Sequence, residues 1–299
     1  MVALSALVLA LSAVSALGSQ MASRGLTRVC GTEISTAEKD AVEADFAARR
    51  TELKLAADAQ KPKRVTIPTY VHVVRSSRKL SGGNVPDSQI ADQMRVLNAA
   101  FANTSYSFKL VETTRTTNKN WFEYASNYED GIGNQTEMKT ALRRGDAKAL
   151  NVYTVGFREG TAGLYGLLGY GTFPFDYEDA PKNDGVVILY STVPGGTTDP
   201  YNFGTNLVHE VGHWTGLYHV FNEGDLSGTC DGSSDLVDDT PAQRYPTFGC
   251  PERQDSCPDL PGDDAIHNYM DYSTEDCQNN FTPGQRERMH AQMGVYRGI

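Results

Sequence analysis

Two stretches of the chain carry clear periodicity of apolar and polar residues. The stretch Arg64–Arg75 is rich in β-branched residues in partial alternation with polar ones, which predicts a strand. The stretch Pro86–Ala102 predicts an amphipathic helix packed on a sheet, because its apolar residues recur with the spacing of one helix face. Those residues are Ile90, Met94, Leu97 and Phe101.

Weaker patterns fill in the rest of the expected fold. Ser35 and Glu38 form a capping-box pattern, which predicts a helix running to about Ala57. A further helix is expected over Thr136–Arg144. Four further strands are predicted, at Ser107–Val111, Ala149–Gly156, Gly163–Thr172 and Gly185–Ser191. This mixture of helices and strands, without an internal repeat, predicts an α+β fold.

The N-terminal end differs from the rest of the chain. Residues 1–18 form an apolar run followed by small residues, which is typical of a secretory signal peptide cut after Gly18; a buried N-terminal helix is the alternative. Residues 19–62 follow as a helical pro-segment that ends at Pro62. We therefore expect the main folded domain to span residues 63–299, with no membrane-spanning helix left in the mature chain.

Composition and charge exclude several classes of protein. Hydrophobic residues make up 39% of the chain and charged residues 21%, which is enough apolar material for a packed core. Acidic residues outnumber basic ones by 37 to 27, giving a net charge of −10. Because a phosphate backbone would be repelled on average, we do not expect a nucleic-acid partner.

The cysteines and the glycosylation motifs indicate an extracellular protein. Four of the five cysteines lie late in the chain, and four cysteines allow three disulfide pairings. They are Cys230, Cys250, Cys257 and Cys277. Asn-x-Ser/Thr motifs occur at Asn103, Asn134 and Asn280, where we expect glycosylation if the chain is secreted.

Half of the six histidines fall within eleven residues of one another. His209 and His213 are four positions apart, so a helix places them on one face within reach of a shared metal ion. His219 could not reach that ion on a continued helix. Gly216 lies between them and tolerates the positive φ that ends a helix and redirects the chain. The spacing therefore predicts three imidazole ligands.

Three imidazoles with an open fourth position are typical of a catalytic zinc ion, because a structural site would be closed by a fourth protein ligand. Co²⁺ and Ni²⁺ also suit such nitrogens. Glu210 directly follows the first histidine, where its carboxylate can reach a water molecule on the ion. We expect Glu210 to act as the general base.

The motif His209-Glu210-x-x-His213-x-x-Gly216-x-x-His219 resembles the zinc-binding consensus of the metzincin metalloproteases. Downstream, Met270 and Tyr272 stand where metzincins have their Met-turn. Within that clan the chain resembles the pappalysin family, most of all its secreted fungal extracellular metalloproteases. The similarity covers roughly residues 60–299, and its specific part runs from 209 to 277.

That resemblance implies a twisted mixed sheet with two long helices above a cleft and a smaller, disulfide-linked C-terminal subdomain. It implies cleavage of internal peptide bonds in proteins, with Tyr272 stabilising the tetrahedral intermediate. A non-catalytic secreted binding protein or adhesin on the same scaffold is the alternative. The strand Gly163–Thr172 could offer the edge along which an extended substrate pairs.

The family also gives roles to the cysteines. It selects the pairs Cys230–Cys257 and Cys250–Cys277 from the three possible sets. The remaining Cys30, in the sequence Arg-Val-Cys-Gly, resembles the latch by which several metzincins stay inactive as precursors, with the thiolate on the zinc. A free thiol in a flexible leader is the alternative.

Acidic residues are concentrated late in the chain. Between Asn222 and Asn280 there are 14 acidic residues and 2 basic ones. A solvated loop is the ordinary interpretation, but bound Ca²⁺ would relieve so dense a negative field. The family resemblance favours structural Ca²⁺ near Asp235–Thr240, although the spacing is not that of an EF-hand.

Overall fold

The computed structural model describes residues 28–53, 64–158, 166–223, 230 and 235–299. The predicted signal peptide lies outside these residues. One sheet of six strands forms the centre, in the order β1-β5-β6-β4-β2-β3. The strands are β1 Val29–Cys30, β2 Val65–Arg75, β3 Tyr106–Thr117, β4 Leu150–Val155, β5 Leu167–Gly171 and β6 Val186–Leu189. The helices are α1 Thr36–Glu52, α2 Asp87–Ala100, α3 Lys119–Tyr124, α4 Ile132–Leu142, α5 Thr205–Trp214 and α6 Pro283–Arg297.

The sheet is mixed. Strand β2 pairs in parallel with both β3 and β4, and β4 pairs in parallel with β6. Strand β5 runs antiparallel to β6, and the short β1 pairs in parallel with the outer edge of β5. The outer edge of β5, which the sequence analysis suggested as the substrate-binding edge, is therefore covered in this form of the chain by the N-terminal segment.

Helices α2 and α5 pack against the sheet in its largest apolar core. The predicted apolar face of α2 is buried, as Ile90, Met94 and Leu97 show. The described residues between α5 and α6 form no further helix or strand of the sheet, and two disulfides join parts of this region. Among the described residues, we find no helix whose length and apolar character would let it cross a membrane.

Most predicted elements are present, with corrected bounds. The first helix ends at Glu52 within the described residues, and residues 54–57 of the prediction lie outside them. Strand β3 continues to Thr117 rather than ending at Val111, because it pairs with β2 along the whole length of that strand. Helix α4 begins at Ile132, earlier than predicted, and buries polar Gln135 and Lys139 together with Met138.

Two of the described α-helices were not predicted. Helix α3 is short and is capped by the side chain of Asn118. Helix α6 begins with a capping box in which Thr282 and Gln285 exchange hydrogen bonds, a Thr-x-x-Gln pattern that the sequence does contain. Its buried Met289 and Met293 complete the main core beside α5. The C-terminal region thus ends in a regular helix, α6, which packs into the main core.

Candidate metal centre

Two of the three histidines, His209 and His213, lie on a helix that is buried along its whole length. All ten residues of α5, from Thr205 to Trp214, are buried. Its first turn is held by Glu275, whose carboxylate accepts the backbone N–H groups of Phe203, Gly204 and Asn206 at 2.5, 2.8 and 2.5 Å. A carboxylate at this end also suits the helix dipole. The orientation of the helix is therefore fixed by the segment that follows Met270.

The chain turns sharply where the helix ends. Gly216 has a φ of 102°, the positive value that the spacing of the histidines predicted. A Cβ there would also lie 2.5 Å from the Cβ of Gln292 on α6. Because glycine alone meets both conditions without strain, the turn can bring His219 back beside the helix.

The turn brings the three imidazoles together. The Nε2 atoms of His209 and His219 are 3.0 Å apart, those of His213 and His219 are 3.1 Å apart, and those of His209 and His213 are 3.3 Å apart. A tetrahedral ion with Zn–N bonds of about 2.05 Å would separate its nitrogens by about 3.3 Å. The three nitrogens therefore have the spacing of ligands on one ion.

The tautomers of the rings favour a cation at their centre. His209 Nδ1 lies 2.7 Å from the carbonyl oxygen of Tyr269, and His213 Nδ1 lies 2.8 Å from that of Leu217. A carbonyl can only accept a hydrogen bond, so both Nδ1 atoms carry protons and the Nε2 lone pairs face one another. Burial lowers the pKa of His213 to about 3, so the ring is neutral. A metal ion between the lone pairs would satisfy them.

Glu210 lies beside this cluster, fully buried. Its Oε2 accepts hydrogen bonds from the Cys30 thiol and the Thr32 hydroxyl, each at 3.4 Å. Burial raises the pKa of Glu210 to about 8, against the opposing charge of Arg28. Strand β5 comes close because Gly169 has no side chain: a Cβ there would lie 2.9 Å from Glu210 Oε1.

Cys30 lies directly over the histidines. Its Sγ is 3.6 Å from His213 Nε2, and all four candidate ligand atoms lie within 4.8 Å of one another. Zn–S and Zn–N bonds of about 2.3 and 2.05 Å would separate sulfur and nitrogen by about 3.6 Å at a tetrahedral angle. Burial and the charge of Glu210 raise the pKa of the thiol in the absence of a cation. The Cys30 sulfur thus lies at a distance from His213 Nε2 that a shared ion would require.

The two residues of the predicted Met-turn also lie at the cluster. Met270 is fully buried, and its sulfur packs against Gly212 of α5. The Tyr272 hydroxyl accepts the backbone N–H of Cys30 at 3.2 Å. The Tyr272 ring lies 5.1 Å from that of His219 and 5.9 Å from that of His209, measured between centroids.

Several residues at the site were not singled out from the sequence. Arg28 is buried, with its guanidinium 5.7 Å from the Tyr272 ring. Thr32 bonds both Glu210 and β5. Glu223 contacts the Nδ1 atom of His219. Two of these residues carried a signal: Arg28 begins the Arg-Val-Cys-Gly sequence around Cys30, and Glu223 stands four residues after a predicted ligand.

The remaining predicted site residues lie away from the cluster. The disulfides are Cys230–Cys257 and Cys250–Cys277, the pairs that the family resemblance implies. Asn103 and Asn280 are exposed, whereas Asn134 is half-buried within α4. Their glycosylation stays a prediction.

Comparison with known proteins agrees with this geometry. The family model described as pregnancy-associated plasma protein-A, Peptidase_M43, matches residues 147–294. An extracellular metalloprotease of Colletotrichum graminicola is 45% identical over 233 residues, covering 78% of each chain. One of Pyricularia oryzae is 45% identical over 234 residues, covering 78% of this chain and 76% of that one.

Two solved structures are also similar to this chain in sequence and in fold. A mutant of Tannerella forsythia promirolysin is 30% identical, with a TM-score of 0.66, and the match covers 90% of this chain and 96% of that one. Mature mirolysin in complex with a cleaved peptide is 32% identical, with a TM-score of 0.59, over 79% and 95% of the two chains.

The fold, the three histidines and these relatives define a metzincin-like metalloprotease. The chain belongs to the pappalysin family, among the fungal extracellular metalloproteases. It is an extracellular zinc-dependent endopeptidase that acts on proteins and peptides. Nothing in the site favours the alternative of a non-catalytic adhesin.

Proposed function

We propose that the mature enzyme holds one Zn²⁺ ion on His209, His213 and His219, and that Glu210 is its general base. The observation that supports this most strongly is the convergence of three Nε2 atoms within 3.3 Å of one another, with the Glu210 carboxylate beside them. When bound, zinc supplies a Lewis acid that activates water and polarises the scissile carbonyl.

The residues around the ion complete the chemistry. Glu210 accepts a proton from the attacking water and returns it to the leaving amine, because its carboxylate lies beside the position that Cys30 occupies next to His213. The Tyr272 hydroxyl, which accepts the N–H of Cys30 in this form of the chain, turns to donate a hydrogen bond to the developing oxyanion. Met270 supports the imidazoles from below by packing against α5.

The outer edge of β5 is proposed to hold the substrate. It has free hydrogen-bonding groups once β1 is removed, and an extended peptide can take the place of that strand. The edge lies beside the general base, because Gly169 and Gly171 of β5 lie close to Glu210. A peptide paired there would pass directly over the histidines.

The N-terminal segment is proposed to keep the precursor inactive. Cys30 would supply the fourth ligand, while β1 covers the substrate edge. Helix α1 anchors this N-terminal segment at a second place. The Glu43 carboxylate of α1 accepts hydrogen bonds from Arg288 of α6 at 2.5 Å and from the Tyr218 hydroxyl at 2.9 Å. We propose that residues 1–18 are a signal peptide and 19–62 the removable pro-segment of a zymogen.

The test of the proposed function is hydrolysis of casein by the processed enzyme. We expect a zinc chelator to abolish cleavage and added Zn²⁺ to restore it. The zinc content of the purified protein, measured by mass spectrometry of the metal, should be one ion per chain. Cleavage that survives complete removal of zinc would contradict the assignment.

A structural Ca²⁺ ion near Asp235–Thr240 is a secondary proposal, supported by the excess of 14 acidic residues over 2 basic ones between Asn222 and Asn280. Asp235 is buried, and its Oδ1 accepts the Thr240 hydroxyl at 2.7 Å. Among the described residues, the histidine site is the one cluster with metal-ligand geometry. We expect calcium analysis of the zinc-loaded protein to find bound Ca²⁺ after dialysis. A protein that retains zinc but no calcium would contradict this secondary proposal.

A further inference from the structure

The three imidazoles are held in place by two kinds of partner. His209 and His213 direct Nδ1 at backbone carbonyls, those of Tyr269 and Leu217. The third ring contacts a side chain, because His219 Nδ1 meets the carboxylate of Glu223. The Nδ1 atom of His219 therefore lies next to a side chain, whereas those of the other two rings lie next to backbone carbonyls.

His219 also lacks the support of a helix. It stands beyond the end of α5, after the turn at Gly216. The Phe221 ring stacks on its ring at 4.8 Å with an interplanar angle of 11°, which restrains the plane of the ring. Stacking alone does not choose which nitrogen carries the proton. A hydrogen-bond acceptor at Nδ1 does, because it leaves the Nε2 lone pair free for a ligand position.

The backbone that carries Glu223 is anchored. Phe221 forms a β-bridge with Gln243, and the Asn222 N–H donates to the Gln243 carbonyl at 2.9 Å. The Glu223 side chain is 10% exposed and that of His219 is 1% exposed, so the contact is shielded from water. Because its backbone is anchored and the contact is shielded from water, we expect the Glu223 carboxylate to stay beside His219.

We propose that Glu223 is a positioning residue of the metal site: its carboxylate accepts the Nδ1–H of His219, fixes the tautomer of that ring and strengthens its Nε2 as a ligand. The inference rests on the three-histidine zinc site proposed above. Glu223 is not itself a ligand, because Nδ1 and Nε2 lie on opposite sides of the ring. A carboxylate partner makes an imidazole more basic than a carbonyl does, and such partners contribute to metal affinity.

The test compares Glu223→Ala and Glu223→Gln in the processed enzyme. The Ala variant loses the acceptor, whereas the Gln variant keeps an acceptor oxygen but loses the charge. Zinc affinity, measured by competition with a chromophoric chelator, should fall by about 10- to 100-fold for Ala and by less for Gln. Glu252→Gln removes a charge from an exposed position of the same acidic region and should leave zinc affinity unchanged.

Two further measurements separate positioning from a general loss of stability. The melting temperature of the zinc-free protein should be the same in Glu223→Ala and wild type, while the increase on adding zinc should be smaller in the variant. The visible spectrum of the Co²⁺-substituted protein should change in the Ala variant and be largely restored by Gln.

The result that overturns the inference is a Glu223→Ala variant whose zinc affinity lies within twofold of wild type. His219→Ala distinguishes this failure from failure of the zinc site itself. If His219→Ala loses zinc and Glu223→Ala does not, the three-histidine site stands and the role of Glu223 is wrong. If both retain zinc at wild-type affinity, His219 is not a ligand and both proposals are wrong.

Discussion

The sulfur of Met270 lies so close to Gly212 that a methyl group on Gly212 would meet it at 2.3 Å. Gly212 stands in α5 between Glu210 and His213, and Met270 follows Tyr269, whose carbonyl oxygen accepts the Nδ1–H of His209. The absence of one side chain therefore lets the C-terminal region approach the helix that carries two ligands. Met270 thereby limits where that helix can lie.

This contact predicts the effect of Gly212→Ala. Alanine normally stabilises a helix interior relative to glycine by about 1 kcal/mol, but here the added methyl group forces Met270 aside. We expect the free energy of unfolding to fall by about 1–3 kcal/mol, as is usual for overpacking, and zinc to be held less tightly. Chemical denaturation and chelator competition measure the two effects.

Gly133→Ala is the matched control. Gly133 also lies within a helix, α4, but a Cβ there would have nothing within 4 Å. We expect this variant to be at least as stable as wild type. Equal effects of the two substitutions would show that the contact with Met270 has no influence.

A second prediction separates the roles of base and ligand at the metal centre. Glu210→Ala removes the proton acceptor but none of the three imidazoles, so zinc stays bound and casein hydrolysis falls by several orders of magnitude. His213→Ala removes a ligand, so zinc is lost together with activity. Metal content measured beside the rate decides between these roles. A Glu210→Ala enzyme of undiminished rate would refute the proposed mechanism.

The ligands could be predicted because their information is local. His209 and His213 share a helix face through spacing alone, and Gly216 provides the turn that returns His219 to them. Helix α2 is predictable for the same reason, since its buried residues recur with helical period. Helix α4 has a weaker pattern, because two of its buried residues are the polar Gln135 and Lys139.

The supporting contacts could not be predicted, because they join distant parts of the chain. Asp184 accepts hydrogen bonds from Arg297 at 2.8 Å and from the indole N–H of Trp214 at 3.1 Å, across separations of 113 and 30 residues. Glu43 and Arg288 are 245 residues apart. Surface charges are common, and no local pattern distinguishes the few that the fold pairs and buries.

A third prediction concerns latency. Cys30→Ala opens the fourth position at the histidines, so the intact precursor should gain activity before the segment is cut. Glu43→Gln weakens the distant anchor on Arg288 and Tyr218, and we expect a smaller gain because Cys30 still lies at the site. The rate of peptide hydrolysis by uncleaved precursor, verified by gel, measures both.

Glu52→Gln controls for the charge of α1, since Glu52 is exposed near the end of the same helix, and this variant should stay latent. A Cys30→Ala precursor as inactive as wild type, with zinc bound, would show that removing the thiol does not relieve latency while β1 covers the substrate edge.

The last prediction concerns a charge outside the metal centre. Lys139 of α4 is fully buried, and its Nζ donates to the carbonyl of Asn183 at 2.8 Å. Burial lowers the pKa of Lys139 to about 7, although the charges of Asp184 and Asp176 oppose the shift. Between pH 7 and its ordinary value near 10.5, the unfolded chain therefore binds a proton that the folded chain lacks. Below pH 7 the folded state bears the full free-energy cost of burying the protonated amine. This cost decreases as pH rises from 7 to 10.5.

We therefore expect the free energy of unfolding of wild type to rise relative to Lys139→Met by up to about 1.4 kcal/mol for each pH unit in this range. Urea denaturation at pH 7, 8 and 9 with the disulfides intact measures the difference, in a Glu210→Ala background that prevents self-digestion. Lys148→Met replaces an exposed lysine and should give a difference that does not change with pH. A difference for Lys139→Met that is flat, or that falls as pH rises, would show that the buried amine keeps its proton on folding.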